Sequence, residues 1–112
     1  MLTSLVLLLL VGDYTLLSGP GCDSPEAVRA IYPLLDAMPD NTPLGEVLDL
    51  FQTERAKGVL CEIVLVREPL EDMGVVGTFI SADGTVMDII KYDRPDGKPS
   101  TYSWRKASGA SL

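Results

Sequence analysis

The sequence predicts an α+β fold in which two N-terminal helices lie on one face of a four-stranded antiparallel sheet, with a fifth strand if residues 5–11 belong to the folded domain. Three observations carry the prediction. Residues 24–57 hold two segments that each open on a hydroxyl residue and a proline and then repeat apolar side chains at helical spacing. From Gly58 onward the pattern changes to short β-branched and aromatic runs separated by turn residues. The chain of 112 residues is of single-domain size, and helices followed by a run of strands is the order of an α+β layer structure.

The N-terminal segment, residues 1–21, is set apart by an unbroken apolar run from Leu5 to Val11. At seven residues the run is well short of the ~20 that a helix needs to cross a bilayer. Its length suits the apolar region of a secretory signal, and Gly19 and Gly21 put small residues at −3 and −1 of a cut before Cys22. No Lys or Arg precedes it, and Gly19-Pro20-Gly21-Cys22 lacks the Leu that a lipoprotein cut normally shows, so lipidation has little support. The other reading is a fully buried strand bounded by Gly12-Asp13. The two cysteines, Cys22 and Cys61, bear on the choice: in an exported chain an even count implies one disulfide between them.

The folded domain is expected over residues 22–106. Ser24 followed by Pro25 and Glu26 is a helix start, because the hydroxyl caps free amides and the proline fits the first turn. Val28, Ile31 and Leu35 follow helical spacing, with Pro33 expected to kink or break the helix near Tyr32. Thr42-Pro43 repeats the start signal. Leu44, Val47, Leu48 and Phe51 then form an i, i+3, i+4, i+7 stripe, closed by Arg55, Lys57 and Gly58.

Residues 59–67, 75–81, 85–92 and 100–106 read as the four strands. Glu68-Pro69 stops the first of them. Ala82-Asp83-Gly84 is a hairpin signal, since Asp and Gly tolerate the positive φ of such a turn. Tyr102 and Trp104 alternate with polar residues as on a half-exposed strand, and residues 107–112 show no packing pattern.

Composition narrows the function. The formal charge of −7 opposes binding to nucleic acid or to an anionic membrane surface. Without histidine there is no His-dependent triad or base, and two cysteines are too few for a Cys/His zinc site. Glu68, Glu71 and Asp72, and separately Asp93 and Asp96, are acidic groups without the spacing of a known ion loop. No catalytic residue, metal site, cofactor or small-molecule substrate is expected.

What the sequence does offer is a sheet face. With helices on one side, Ile90, Tyr92, Val64 and Val66, joined according to register by Tyr102 and Trp104, would lie on the other, too apolar to be wholly wet. Such a face points to a protein partner or to a homodimer. The function read from these residues is a small, acidic, non-enzymatic binding or accessory module, exported and held by a Cys22–Cys61 bridge. The alternative is a cytosolic acidic antagonist that neutralises a basic protein.

Overall fold

The computed structural model describes residues 14–107, with the side chains of residues 14–18, 64–69 and 96 left out of the description. The apolar run at residues 5–11 and the tail after Ala107 lie outside the described residues. The chain order is β1 (Tyr14–Cys22), α1 (Pro25–Asp36), α2 (Leu44–Arg55), β2 (Cys61–Ile80), β3 (Val86–Asp93), a 3₁₀ turn (Pro95–Gly97) and β4 (Thr101–Lys106). The fold is α+β, with both helices packed on an antiparallel sheet. Strand order is β1-β2-β3-β4, and the pair Cys22↔Tyr102 closes it into a barrel.

Residues 14–21, grouped with the N-terminal segment in the sequence reading, therefore supply most of β1. A cut before Cys22 would remove a strand that pairs with β2 from Tyr14↔Glu71 to Cys22↔Cys61. Topologically, α1 and α2 are an excursion between two neighbouring strands.

Helix α1 begins as its sequence dictates. The Ala27 amide donates to Ser24 Oγ at 3.1 Å, and Pro25 occupies the first turn. Ala27, Val28 and Ile31 are buried. The expected break at Pro33 does not occur, and the helix runs on to Asp36. Pro33 faces solvent and its missing donor costs a single backbone bond, while Ile31 and Leu35 on either side are held by the core.

Helix α2 departs from its expected stripe. Phe51 is buried and Val47 and Leu50 pack against the core, but Leu44 and Leu48 are exposed, at 52% and 38%. The seam has rotated toward Leu50 and Glu54. Glu54 is buried at 8% and accepts a 3.1 Å bond from Lys57 Nζ. Thr42 does not cap the helix; its hydroxyl donates to the Pro39 carbonyl at 2.7 Å and closes the preceding turn. Gly58, with φ +94°, ends the segment as its sequence position implies.

The first two predicted strands are one strand of 20 residues. Pro69 and Glu68 do not stop it. Pro69 stands opposite Leu16 in the β1 ladder; the irregularity falls on both sides of it, in a register shift against β1 between Leu17 and Gly19, opposite Glu68 and Val64, and in shifts against β3 between Asp72 and Val75 and between Val75 and Gly77. Gly74 at φ +92° makes the shift between Asp72 and Val75 possible, and its amide donates to Asp72 Oδ1 at 2.8 Å. The acidic cluster Glu68, Glu71 and Asp72 thus lies in a strand rather than a loop. β1 pairs with the first half of β2 and β3 with the second, so β2 serves as two strands.

Two clusters form the core. On the helix side Cys22, Cys61, Ala27, Val28, Ile31, Phe51 and Ile89 are buried together. On the opposite side of the sheet Leu70, Ile90 and Tyr92 form a smaller one. The bridge between Cys22 and Cys61 is present, with both residues 2% exposed. Cys61 Sγ lies 3.8 Å from the Ala27 carbonyl, and because a bridged sulfur has no proton this is a packing contact. No helix among the described residues is long and apolar enough to cross a membrane.

Candidate functional site

Of the six residues expected to form one apolar face, the four whose side chains are described, Ile90, Tyr92, Tyr102 and Trp104, do not share one exposed surface. Ile90 and Tyr92 are on the side away from the helices, as read from the sequence, but they are 0% and 9% exposed because strand closure packs Leu70 over them. Tyr102 and Trp104 are on the helix side. The register fixes this: Trp104 stands opposite Ile89 and Tyr102 opposite Lys91, and residues directly opposite share a face. Trp104 packs against Tyr32 edge to face, with ring centroids 5.5 Å apart, and Tyr32 meets Phe79 in the same way at 4.9 Å. The positions of Val64 and Val66 are in β2 and their side chains lie outside the described residues.

Around Tyr92 the environment is polar as well as buried. Burial raises its phenol pKa, Asp72 adds to the rise and Arg105 opposes it. Arg105 Nη1 is 3.5 Å from Asp72 Oδ2, so the two charges largely answer each other. Thr101 and Ser103, on the same side, donate to the Cys22 and Pro20 carbonyls at 3.4 and 2.9 Å and tie β4 to β1.

The surface that remains open and apolar lies elsewhere. A groove of about 170 Å³ runs between the second half of α1 and the β2–β3 hairpin, lined by Tyr32, Pro33, Asp36, Ala37, Phe79, Ile80, Ser81 and Ala82. Ile80 is 71% exposed, and Val86, its cross-strand partner, 47%. Ile80 is the most exposed large apolar side chain among the described residues.

One carboxylate, Asp36, lines the groove, and a second, Asp83, follows the lining residue Ala82 in the hairpin. Burial raises the Tyr32 pKa, and the nearby Asp36 and Asp83 raise it further, which places both acids within electrostatic reach of the phenol. Asp36 is one helical turn after Tyr32. Asp83 is held by the hairpin: Ser81 Oγ and the Thr85 amide both donate to Oδ1, the latter at 3.0 Å. These bonds, the Ser81 one foremost, lower its pKa to about 2 and keep it ionised. The turn itself closes through Ser81 N–H to the Thr85 carbonyl at 2.9 Å, with Gly84 at φ +87°. Sequence reading found the hairpin and missed the groove; the Tyr32/Asp36 spacing was the visible signal, and the approach of Asp83 was not.

A second depression, of about 220 Å³, lies over the bridge between Asp23, Arg55, Glu62 and Arg94. Arg94 Nη2 is 3.1 Å from Glu62 Oε1, and the lining carries equal numbers of acidic and basic side chains. It has no net charge with which to select an ion. Among the described residues no three acidic or cysteine side chains are grouped as a metal ion would require.

Fold and surface together define a small disulfide-bridged α+β domain with an apolar groove lined in part by an acidic side chain. Compared with family models, with curated proteins and with solved structures, the chain matches none.

Proposed function

We propose that the chain is a small non-enzymatic binding module of an oxidising, extracytoplasmic compartment, and that it recognises a protein partner through the groove between α1 and the β2–β3 hairpin. The observation that carries this reading is the pairing of exposed apolar side chains, Ile80 and Val86, with two carboxylates, Asp36 and Asp83, beside Tyr32. An apolar centre with a charged rim is the usual anatomy of a protein interface. Four ion pairs among the described residues engage Arg29, Lys57, Arg94 and Arg105, which leaves the acidic surplus of the chain to set its surface field. That field favours a partner segment with an apolar anchor next to a Lys or Arg.

The compartment is supported by the buried Cys22–Cys61 bridge, since such bridges persist where the environment is oxidising. A cytosolic antagonist of a basic protein would use the same carboxylates and gains nothing from the bridge.

The test places a photo-crosslinking residue at Ala82, in the groove, and at Gln52, on the exposed side of α2, and expresses both chains in the source host. An adduct from position 82 that is absent from position 52 and disappears with Ile80→Asp is expected. Adducts of equal yield at both positions, or yields unchanged by Ile80→Asp, would overturn the groove as the recognition surface.

A further inference from the structure

The two walls of the groove are attached to the fold in different ways. Tyr32, Pro33, Asp36 and Ala37 lie inside the loop that the Cys22–Cys61 bridge closes, whereas Phe79, Ile80, Ser81 and Ala82 lie outside it. The hairpin wall is fixed by the β2–β3 ladder, which runs to Ile80↔Val86, and by the turn bond from the Ser81 amide to the Thr85 carbonyl. The helix wall lacks such a ladder. Among the described residues one hydrogen bond joins α1 or α2 to a strand, from Arg29 Nη2 to the Thr78 carbonyl at 3.4 Å, and it is exposed.

Apolar packing therefore does most to seat α1, and the bridge is part of that packing. Cys22 and Cys61 are buried together with Ala27, Val28, Ile31, Phe51 and Ile89, and Cys61 Sγ lies 3.8 Å from the Ala27 carbonyl in the first turn of α1. Two residues separate Cys22 from the start of that turn, where the Ser24 hydroxyl caps it. Protein interiors are close-packed, and two separate thiols need more room than one bonded pair. Opening the bridge consequently crowds α1 where its first turn rests on the sheet. The other end of the same helix forms the groove wall, and there Tyr32 meets Phe79 and Trp104 edge to face.

We propose that the groove is redox-gated: it is complete while the Cys22–Cys61 bridge is closed, and reduction of the bridge moves α1 away from the hairpin wall. The inference rests on the groove as the recognition surface and adds its regulation. A chain made under reducing conditions has no finished groove, and recognition begins once an oxidising compartment closes the bridge. The reductant is a dithiol. One of its thiolates attacks a bridge sulfur, the S–S bond breaks, and the other cysteine leaves as a thiolate and takes up a proton. The second thiol then resolves the mixed disulfide, so two electrons and two protons pass to the bridge and the reductant ends as a cyclic disulfide. Closure runs the same exchange in reverse with a disulfide oxidant. The depression of about 220 Å³ that both cysteines line gives the reagent its approach.

NMR of the full chain, oxidised and in dithiothreitol, tests the gate, with intact mass reporting the state of the bridge. On reduction the cross-strand contact of Ile89 with Trp104 should persist, whereas the ring contacts of Tyr32 with Phe79 and Trp104 should be lost. Reoxidation should restore them. Unchanged Tyr32 contacts in the reduced chain overturn the proposal. Loss of the strand contact along with them also overturns it, since the bridge would then hold the whole fold rather than one wall. A bridge that dithiothreitol leaves closed in the folded chain overturns it as well. The recognition reading fails separately: crosslinking of the oxidised chain at position 82 decides that reading, while the gate stands or falls on the ring contacts.

Discussion

Cys22 stands directly opposite Cys61 on neighbouring antiparallel strands, with Cα atoms 4.0 Å apart. The Asp23 amide donates to the Leu60 carbonyl at 3.0 Å just beyond them. The bridge is thus a clasp at the base of the helical excursion, and the helices hang from a loop closed across a sequence separation of 39.

Opening that loop should be costly. In the chain-entropy account, a bridge across such a separation restricts the unfolded state by about 4 kcal/mol. The variant Cys22→Ala/Cys61→Ala should lose close to that amount in urea unfolding and should release both helices together. An unfolding midpoint unchanged from the oxidised chain would contradict the role given to the bridge.

Trp104 is a second point of stability rather than of recognition. It is half-buried against Tyr32 and the helix-side cluster. Trp104→Ala should cost about 2–3 kcal/mol of folding stability, less than a fully buried tryptophan because part of the ring is already wet. Sedimentation of the variant should be unchanged, and a loss of association at unchanged melting temperature would return Trp104 to an interface.

The hairpin aspartate gives the fold an acid-side dependence. Asp83 has a folded pKa of about 2 against 3.8 for the free group, so its contribution is fully present above the unfolded value and is lost as pH falls through the folded one. Melting curves from pH 6 to pH 2 should therefore fall more steeply for the natural chain than for Asp83→Asn, with the difference confined to the range below about pH 4. Parallel curves would show that the Ser81 and Thr85 bonds add nothing specific to the ionised form.

On the alkaline side the sign reverses. Burial first, and Asp72 second, raise the pKa of Tyr92, so the folded chain favours the neutral phenol. The stability this represents is present below the ordinary tyrosine pKa and is lost as pH rises through the raised one. Tyr92→Phe should keep the cluster with Leu70 and Ile90 and should unfold at higher pH than the natural chain. Ultraviolet titration with circular dichroism follows phenolate and fold together, and identical alkaline midpoints in both chains would remove Tyr92 as the trigger.

The parts of this protein that the sequence by itself determined are those whose cause lies within a few residues. Ser24 starts α1 because its hydroxyl reaches an amide three positions on, Gly58 ends α2 because it accepts a positive φ, and Asp83-Gly84 turns β2 into β3 for both reasons at once. With only two cysteines, Cys22 and Cys61 had no other internal partner. Tertiary structure decided what depends on residues distant in sequence. Pro69 continues a strand because β1 lies beside it, and the seam of α2 rotates from Leu44 and Leu48 toward Leu50 and Glu54. Trp104 turns to the helix side because its register sets it opposite Ile89, and Ile90 and Tyr92 are covered because the sheet closes on Leu70. A period-two pattern states that a strand has two faces and leaves open which of them meets the helices; only the cross-strand pairing fixes that choice, since a slip of one residue exchanges the faces.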